Sequence, residues 1–378
     1  MEKYNLKFIF VLCLIFSVFQ SCFKSQSNHQ YQTVPTSLVS KYWKVSSQKV
    51  KGYYDLTKAL PKNYSVKGNV DYTQYLQKAI DGYDKVMMPN FPVLINKNGL
   101  KLKSNQTVYF PKNAWLIFQG PAMKKLDDVL KIYNVENVVL INPQIEGSKF
   151  ARIQQEGQWS AGICILNSKN IKITNLRIKN TFGDGLFIGS EDGGFSENIQ
   201  VKGGWIDSAR RNGLSITSGK NVWVEQLFIS NTFGHDPEAG VDVEPSWYKD
   251  VIENVNLKNI YTYNNKQAGI AVNMNALNVN TDSAAKSIGL TIDGHIDQGS
   301  NHAFLTSLNQ GDQKNKFDAK GTIKVENTQW LNNREASFWT TPEKHRINIL
   351  FNKVNINDVQ KNQKFKETVQ SKAGLKLQ

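Results

Sequence analysis

Cysteine and histidine are scarce in this chain of 378 residues. It has three cysteines, Cys13, Cys22 and Cys164, and five histidines, and none of these stands at metal-ligand spacing from another. A disulfide scaffold and a structural zinc site both require clusters of such residues. The sequence therefore argues against both classes, and we predict no metal site of this kind.

Arginine is scarce as well, although the chain is basic. Of the 46 basic residues, which leave a net charge of +14, only six are arginines. Proteins that read bases and phosphates depend on the bidentate guanidinium group. A Gly-rich phosphate loop and a dinucleotide fingerprint are also lacking. We therefore expect no nucleic-acid partner and no firm cofactor, while a basic surface still suits an anionic membrane or an acidic polysaccharide.

A long apolar run occurs at the amino terminus, where Lys3 and Lys7 precede residues 8–19. Twelve residues cannot cross a bilayer of ~30 Å as a helix, so the run predicts a signal peptide over residues 1–21. The tetrapeptide ending at Cys22 resembles the lipobox of bacterial lipoproteins. That resemblance implies that Cys22 is lipid-modified, that residues 22–50 form a tether, and that the protein is exported and held at the outer membrane.

Two sequence templates alternate through the rest of the chain. The first is Asn-apolar-x-apolar-x-x-apolar-x-apolar, missed only at Thr262, and it begins at Asn137, Asn170, Asn198, Asn221, Asn254 and Asn348. The second is small-apolar-x-apolar, and it begins at Gly162, Gly185, Gly213, Gly240, Gly269 and, weakly, Ala303. Alternation with a period of two predicts short strands with one buried face.

The spacing of these templates defines the fold class. The glycines recur after 23, 28, 27 and 29 residues, too few for a strand, a crossover helix and a return strand in each unit. Each period is therefore one coil of an all-β, single-stranded, right-handed parallel β-helix. We expect this solenoid over residues 51–356, with a short amino-terminal capping helix after Asp71 and a loose basic tail over residues 357–378. We also expect a monomer.

Three stretches of the coils resemble the pectate-lyase-like superfamily of right-handed β-helix proteins, namely residues 180–189, 209–217 and 231–245. The resemblance implies a polysaccharide substrate or ligand. That superfamily includes polygalacturonase-like hydrolases, lyases and uronate epimerases. The Asp-Pro-His-Asp/Glu motif of alginate epimerases is not matched, because Asp236-Pro237 is followed by Glu238 and Ala239. The polygalacturonase pattern of paired aspartates on one coil is not reproduced either, so the reaction stays open.

The chemical centre is predicted on the coil that begins at Gly240. Val241 and Val243 point inward, so Asp242 and Glu244 point outward with Cα atoms ~6.6 Å apart. Two such carboxylates can have different pKa values, so that one stays protonated as the acid while the other is ionised, as glycoside hydrolysis requires. The alternative is two solvated acids on an exposed strand.

Neighbouring coils supply the rest of the predicted site. Asp184 is a candidate third acid or merely part of a tight turn, and Arg211 is a candidate catalytic partner or merely a neutralising salt bridge. Equivalent positions on adjacent coils are mostly small, which suggests a trough for a sugar chain. The candidate substrate-binding residues are Arg210, Phe187, Trp159, His235, Asp236, Glu238 and Asn273.

Two classes of function fit these residues. One is an enzyme that cleaves glycosidic bonds, by hydrolysis or by elimination from a uronate. Elimination needs neutralisation of the substrate carboxylate by Arg, Lys or calcium, so calcium is expected only for a lyase. The other class is a non-catalytic, glycan-binding surface lipoprotein.

Overall fold

The computed structural model describes residues 29–47, 49–118, 127–150, 157–278, 286–308, 319–341 and 346–378. The chain divides into two units, residues 1–31 and residues 32–378. The second unit carries the secondary structure given below. The predicted signal peptide and Cys22 lie outside the described residues, so lipidation stays a prediction.

Parallel strands in two sheets make up the second unit. The nine-stranded sheet contains β4 Leu100–Lys101, β7 Leu130–Tyr133, β10 Ile163–Leu166, β12 Leu186–Gly189, β14 Leu214–Ile216, β16 Ala239–Val243, β19 Ala268–Asn273, β22 His302–Ser307 and β24 Phe338–Thr340. Each strand pairs in parallel with the strand of the next coil. The six occurrences of the glycine template coincide with β10, β12, β14, β16, β19 and β22, and the template is thereby confirmed.

The seventeen-stranded sheet covers the other sides of the coils. Its strands are β1 Tyr54–Asp55, β2 Lys85–Met87, β3 Pro92–Ile95, β5 Thr107–Tyr109, β6 Trp115–Phe118, β8 Glu136–Ile141, β9 Gln144–Glu146, β11 Lys169–Lys179, β13 Ser196–Asp207, β15 Gly219–Ser230, β17 Ile252–Lys258, β18 Tyr261–Tyr263, β20 Ser287–Asp293, β21 Ile296–Gln298, β23 Lys320–Leu331, β25 Arg346–Ile356 and β26 Leu375–Leu377. Inward Ile, Leu and Val residues from both sheets form one continuous core. The predicted parallel β-helix is confirmed.

The asparagines of the first template lie at sharp bends of the long strands. Asn137, Asn170, Asn198, Asn221 and Asn254 have φ angles between 51° and 59°. Asparagine tolerates this left-handed region because its short side chain can bond locally. Each of these side chains also donates a hydrogen bond to the asparagine of the preceding coil, at 2.8 to 3.1 Å. The predicted asparagine ladder therefore exists over these coils.

Among the described residues, three α-helices and two 3-10 turns accompany the sheets. The helices are α1 Thr36–Tyr42, α2 Thr73–Gly82 and α3 Val359–Ser371, and the turns are Leu56–Ala59 and Asn275–Asn278. Helix α2 is the expected amino-terminal cap, and it buries Leu76 and Ile80 in the core. The side chain of Asp71 accepts from the backbone N–H of Thr73 at 2.9 Å. No described helix has the length and apolar character of a membrane span.

Two segments differ from their predicted state. Residues 357–378 are not a loose tail, because α3 buries Phe365 and Val369 and β26 pairs with β25. The predicted tether is partly docked, since α1 packs against Phe228 and Tyr261 of the seventeen-stranded sheet. Both segments bury aromatic side chains that would otherwise stay in water.

Candidate active site

The register of the nine-stranded sheet places the predicted acids on one outer column. Asp242 pairs with Ser215 on one side and Ala271 on the other, and Ser215 pairs with Phe187. Adjacent strands are ~4.8 Å apart, so this column joins residues far apart in sequence. The residues that lie beside Asp242 on the neighbouring coils are those that the repeat predicts.

Asp242 faces outward as predicted, but it is only 2% exposed. Asn212 donates from Nδ2 to Asp242 Oδ2 at 3.0 Å and to Ser215 Oγ at 3.1 Å. Burial and the neighbouring Glu244, whose side chain is hydrogen-bonded to it, raise the pKa of Asp242 well above its usual range. Asp242 is therefore neither a solvated acid nor freely open to a ligand.

Arg211 joins the other two predicted acids. Its guanidinium donates to Asp184 at 3.0 and 3.3 Å, and its second terminal nitrogen lies 3.7 Å from Glu244 Oε2. The guanidinium group of Arg211 thus spans Asp184 and Glu244. The two carboxylates therefore lie within ~9.5 Å of each other, which is the largest separation of the two acids in inverting glycosidases. All four predicted catalytic residues are brought together.

The three acids differ in exposure. The side chain of Glu244 is 28% exposed, whereas that of Asp184 is 5% exposed. Asn273 Nδ2 donates to Glu244 Oε1 at 2.7 Å, which orients the carboxylate. Glu244 is therefore the acid of this cluster most open to a ligand.

Asp184 also has a structural task. Its Oδ1 accepts from the backbone N–H of Asn212 at 3.1 Å. Asp128, at the same position two coils earlier, accepts from Ala161 N–H at 2.6 Å, and Asn212 one coil later accepts from Ala239 N–H at 3.1 Å. This position thus bonds one coil to the next with either an aspartate or an asparagine.

Charge and burial oppose each other around Arg211. Burial raises the pKa of Asp184, while Arg211 acts to lower it. Burial would lower the pKa of Arg211, but the attraction of Asp184, Asp242 and Glu244 outweighs it and raises that pKa. The guanidinium therefore stays charged and favours ionised acids beside it.

An apolar wall adjoins the acids at Phe187. Phe187, like Tyr133, packs against the buried cluster of Ala161, Cys164 and Leu166. A side chain at Gly189 would meet this ring at 2.7 Å, so glycine is needed for the ring to lie there. Phe187 is half-buried and forms a side of the predicted trough.

Trp159 lies at the strand-entry edge of the same face. Its backbone packs on Gly183, next to Asp184, where an added Cβ would come within 2.7 Å. Its side chain is 47% exposed. This placement agrees with the predicted sugar platform.

Two of the predicted substrate-binding residues, Arg210 and Glu238, are buried and make contacts within loops. Arg210 is buried, stacks on Phe182 at 4.2 Å and donates to Gly157 O at 2.8 Å, so it braces a loop. Glu238 is also buried, and it bonds Gly234 N–H at 2.6 Å and Lys266 at 2.7 Å. Both therefore stabilise loops, and their contact with substrate stays a prediction.

His235 and Asp236 lie on the loop that Glu238 closes. His235 is half-buried, and burial together with Arg210 and Arg211 lowers its pKa, so the ring is neutral near pH 7. Asp236 is exposed. Both stay candidates for ligand contact.

Sequence reasoning missed Asn212 and an aromatic loop after Glu244. In that loop Trp247 and Tyr248 are 51% and 37% exposed. The buried Asp250 accepts from the backbone N–H of Ser246 at 2.7 Å and of Trp247 at 2.8 Å, and from Ser190 Oγ at 3.0 Å. The signal in the sequence was the Ser-Trp-Tyr run that begins two residues beyond Glu244. The loop presents two rings in a fixed position.

In the described part of the chain, no group of three His, Cys, Asp or Glu side chains is arranged to hold a metal ion. The acids of the candidate site are instead bonded to Arg211, Asn212 and Asn273.

Comparison with known proteins supports the fold. No family model matches the chain. Among curated proteins, an uncharacterized protein of Bacillus subtilis, YclG, is 28% identical over 208 residues. That match covers 47% of this chain and only 36% of the relative.

Several solved structures share the architecture. A polygalacturonase from Erwinia carotovora has a TM-score of 0.53 at 13% identity, covering 77% of this chain and 91% of its own. An endo-xylogalacturonan hydrolase from Aspergillus tubingensis has a TM-score of 0.53 at 14% identity, covering 77% and 82%. The A-module of the mannuronan C-5 epimerase AlgE4 from Azotobacter vinelandii has a TM-score of 0.52 at 11% identity, covering 80% and 88%. The resemblance to pectate-lyase-like right-handed β-helix proteins is confirmed at the level of fold.

Proposed function

We propose that this protein is a glycoside hydrolase that cleaves a polysaccharide through Glu244, Asp242, Asp184 and Arg211. The observation that carries the proposal is the bridging of Asp184 and Glu244 by one guanidinium group, whose side chain is 14% exposed. The β-helix core is filled by inward aliphatic residues and does not need these acids. Fold alone does not define an activity, so the proposed activity is assigned from the acids around Arg211.

In the proposed reaction, Asp242 holds a proton because burial and the neighbouring Glu244 raise its pKa, and this proton passes to Glu244 across the hydrogen bond between them. Two neighbouring carboxyl groups share a proton because two like charges at contact repel. Glu244, the more exposed member, donates the proton to the glycosidic oxygen as the bond to the anomeric carbon breaks. A water oxygen bonds to that carbon, and Asp184 takes the water proton. Arg211 favours the ionised form of Asp184 between turnovers.

Sugar rings would be held by the aromatic side chains at the edges of this face. Trp159 lies at the strand-entry edge, and Trp247 lies beyond Glu244 at the strand-exit edge. Such rings offer apolar faces for the C–H groups of a sugar. The solved structures similar in fold include enzymes named for polygalacturonan and xylogalacturonan, which supports a polysaccharide substrate.

The reaction class is tested by the products released from uronate-containing, sulfated and neutral polysaccharides. Hydrolysis predicts new reducing ends without absorbance of an unsaturated uronate in the near ultraviolet, and without a requirement for added calcium. Unsaturated ends would contradict hydrolysis and indicate a lyase. The absence of new ends from every polymer would contradict cleavage altogether.

Export and lipid anchoring at Cys22 belong to the same proposal. Export would bring the enzyme to a polysaccharide that lies outside the cell. The Cys22→Ser variant should stay unprocessed and free of labelled fatty acid. Normal maturation of that variant would contradict the anchor.

A further inference from the structure

The outer face of the seventeen-stranded sheet carries a ladder of alternating charges. Glu136, Lys169, Glu197, Lys220 and Glu253 are stacked in register on successive coils. Lys169 bonds Glu197 at 2.9 Å, and Lys220 lies 3.5 Å from Glu253. Each cation of this ladder therefore faces an acid on a neighbouring strand.

The asparagine ladder runs beside the charge ladder and ends on the same coil. Its last member, Asn254, bonds Asn221 at 2.8 Å. The next coil has Gly289 close to the backbone of Asn254, and Thr322 and Asn348 follow in register. Since glycine has no side chain, the surface becomes concave where both ladders stop.

A cavity of about 600 Å³ lies at this place. Three cations line it, Lys320, Lys324 and Arg346, together with polar groups that include those of Thr291, Thr322 and Asn348. Among the described residues that line it, none is acidic. The cavity lies on a different sheet from the acids of the candidate active site.

The two lysines of this cavity break the charge pattern of the rest of the face. Lys320 and Lys324 both lie on β23, and neither has an acid directly opposite it on β20 or on β25. A bound anion would therefore stand beside these lysines as an acid stands beside each lysine of the charge ladder.

We propose that this cavity, the basic cavity, binds a chain of carboxylated or sulfated sugars as a non-catalytic second site. Its volume is in the range of sites that hold organic ligands and exceeds what one inorganic anion fills. Gly289, where an added Cβ would meet only the backbone of Asn254 at 3.4 Å, leaves room for a sugar ring against the strands, and the lysines pair with its acid groups. This site would hold one stretch of an acidic polymer on the β-helix while another stretch of the same polymer reaches the acids of the candidate active site.

The test measures binding to dextran sulfate, polygalacturonate, neutral dextran and inorganic phosphate by titration calorimetry. It uses the Glu244→Gln variant, so that cleavage of the polymer does not interfere. The double variant Lys320→Gln/Lys324→Gln is compared with the control Lys169→Gln/Lys220→Gln. Both remove two positive charges from the same sheet, but the control lysines already face acids.

The proposal predicts that the cavity variant binds at least one of the two anionic polymers about tenfold more weakly or worse, with the control within about twofold. Neutral dextran should not bind, and phosphate should bind far more weakly than the polymers. Equal losses of affinity in both double variants would show that net charge alone causes the effect, and this would overturn the proposed site. Unchanged binding in the cavity variant, or phosphate binding as tight as polymer binding, would also overturn it. Because binding alone is measured, a failed hydrolysis assay leaves this result intact.

Discussion

Asp184 accepts a hydrogen bond from the backbone of the next coil and also pairs with Arg211. Asn212 shows that an asparagine can make the same backbone bond. The Asp184→Asn variant should therefore keep its fold but lose at least ~100-fold in turnover, because it cannot take a proton. Turnover and thermal unfolding of the same preparation check this.

Asp128 provides the matched control for Asp184. It occupies the equivalent position two coils earlier, but it bonds Tyr133 rather than Arg211. The Asp128→Asn variant should keep turnover within about threefold. If it lost as much activity as Asp184→Asn, the effect would be structural and not chemical.

Trp247 is exposed beyond Glu244 on a loop that Asp250 fixes. The Trp247→Ala variant should raise KM by roughly three- to tenfold, the worth of one stacking contact, with a smaller change in kcat. Trp223, 41% exposed on the other sheet, is the control. An unchanged KM of the Trp247→Ala variant for a short oligosaccharide would show that the ring does not contact the substrate.

At the scale of elements, the carboxy-terminal helix α3 closes the core through Phe365. Its ring lies 5.1 Å from that of Phe351 and 5.7 Å from that of Trp330. The Phe365→Ala variant should lower the free energy of unfolding by about 3–5 kcal/mol, as for other buried aromatic truncations. Denaturant unfolding measures this, with Val359→Ala, at an 83% exposed position of the same helix, as control. Equal and small losses would mean that the helix does not cap the core.

The strands could be predicted from the sequence because a period of two, repeated on every coil, records which side chains face inward. The same register placed Asp242, Ser215 and Ala271 on one column. The burial of Asp242 could not be predicted, since it depends on how Arg211 and Asn212 lie across the strand. Helix α1 could not be predicted either, because its few apolar residues gain their environment from Phe228, far away in sequence.

At the scale of the whole molecule, two buried groups inside the coils link stability to pH in opposite directions. Burial raises the pKa of Asp297 to about 6, although Thr262, Ser300 and Asn333 donate hydrogen bonds to it. Burial lowers the pKa of His295 to about 3. The stability from Asp297 is full below the unfolded pKa of about 3.9 and is lost as pH rises through about 6. The stability from His295 is full above about 6.5 and is lost as pH falls toward 3.

Variants of the two residues should therefore differ in how their stability changes with pH. Relative to the wild type, Asp297→Asn should gain stability as pH rises from 4 to 6, by up to ~1.4 kcal/mol per pH unit. His295→Gln should lose stability relative to the wild type over the same range. Urea midpoints at pH 4, 5 and 6 give both differences. Differences that do not vary with pH would show that neither group titrates as its burial implies.

The central claim, that the acids around Arg211 cleave a polysaccharide, is tested most directly by turnover of Glu244→Gln on the cleaved polymer. Glu225→Gln is the control, because Glu225 forms an ion pair with Lys202 at 3.2 Å on the other sheet. Glu244→Gln should lose at least ~100-fold in turnover and Glu225→Gln should stay within about twofold, with both variants folded. Full turnover in Glu244→Gln would show that the chemistry takes place elsewhere on the β-helix.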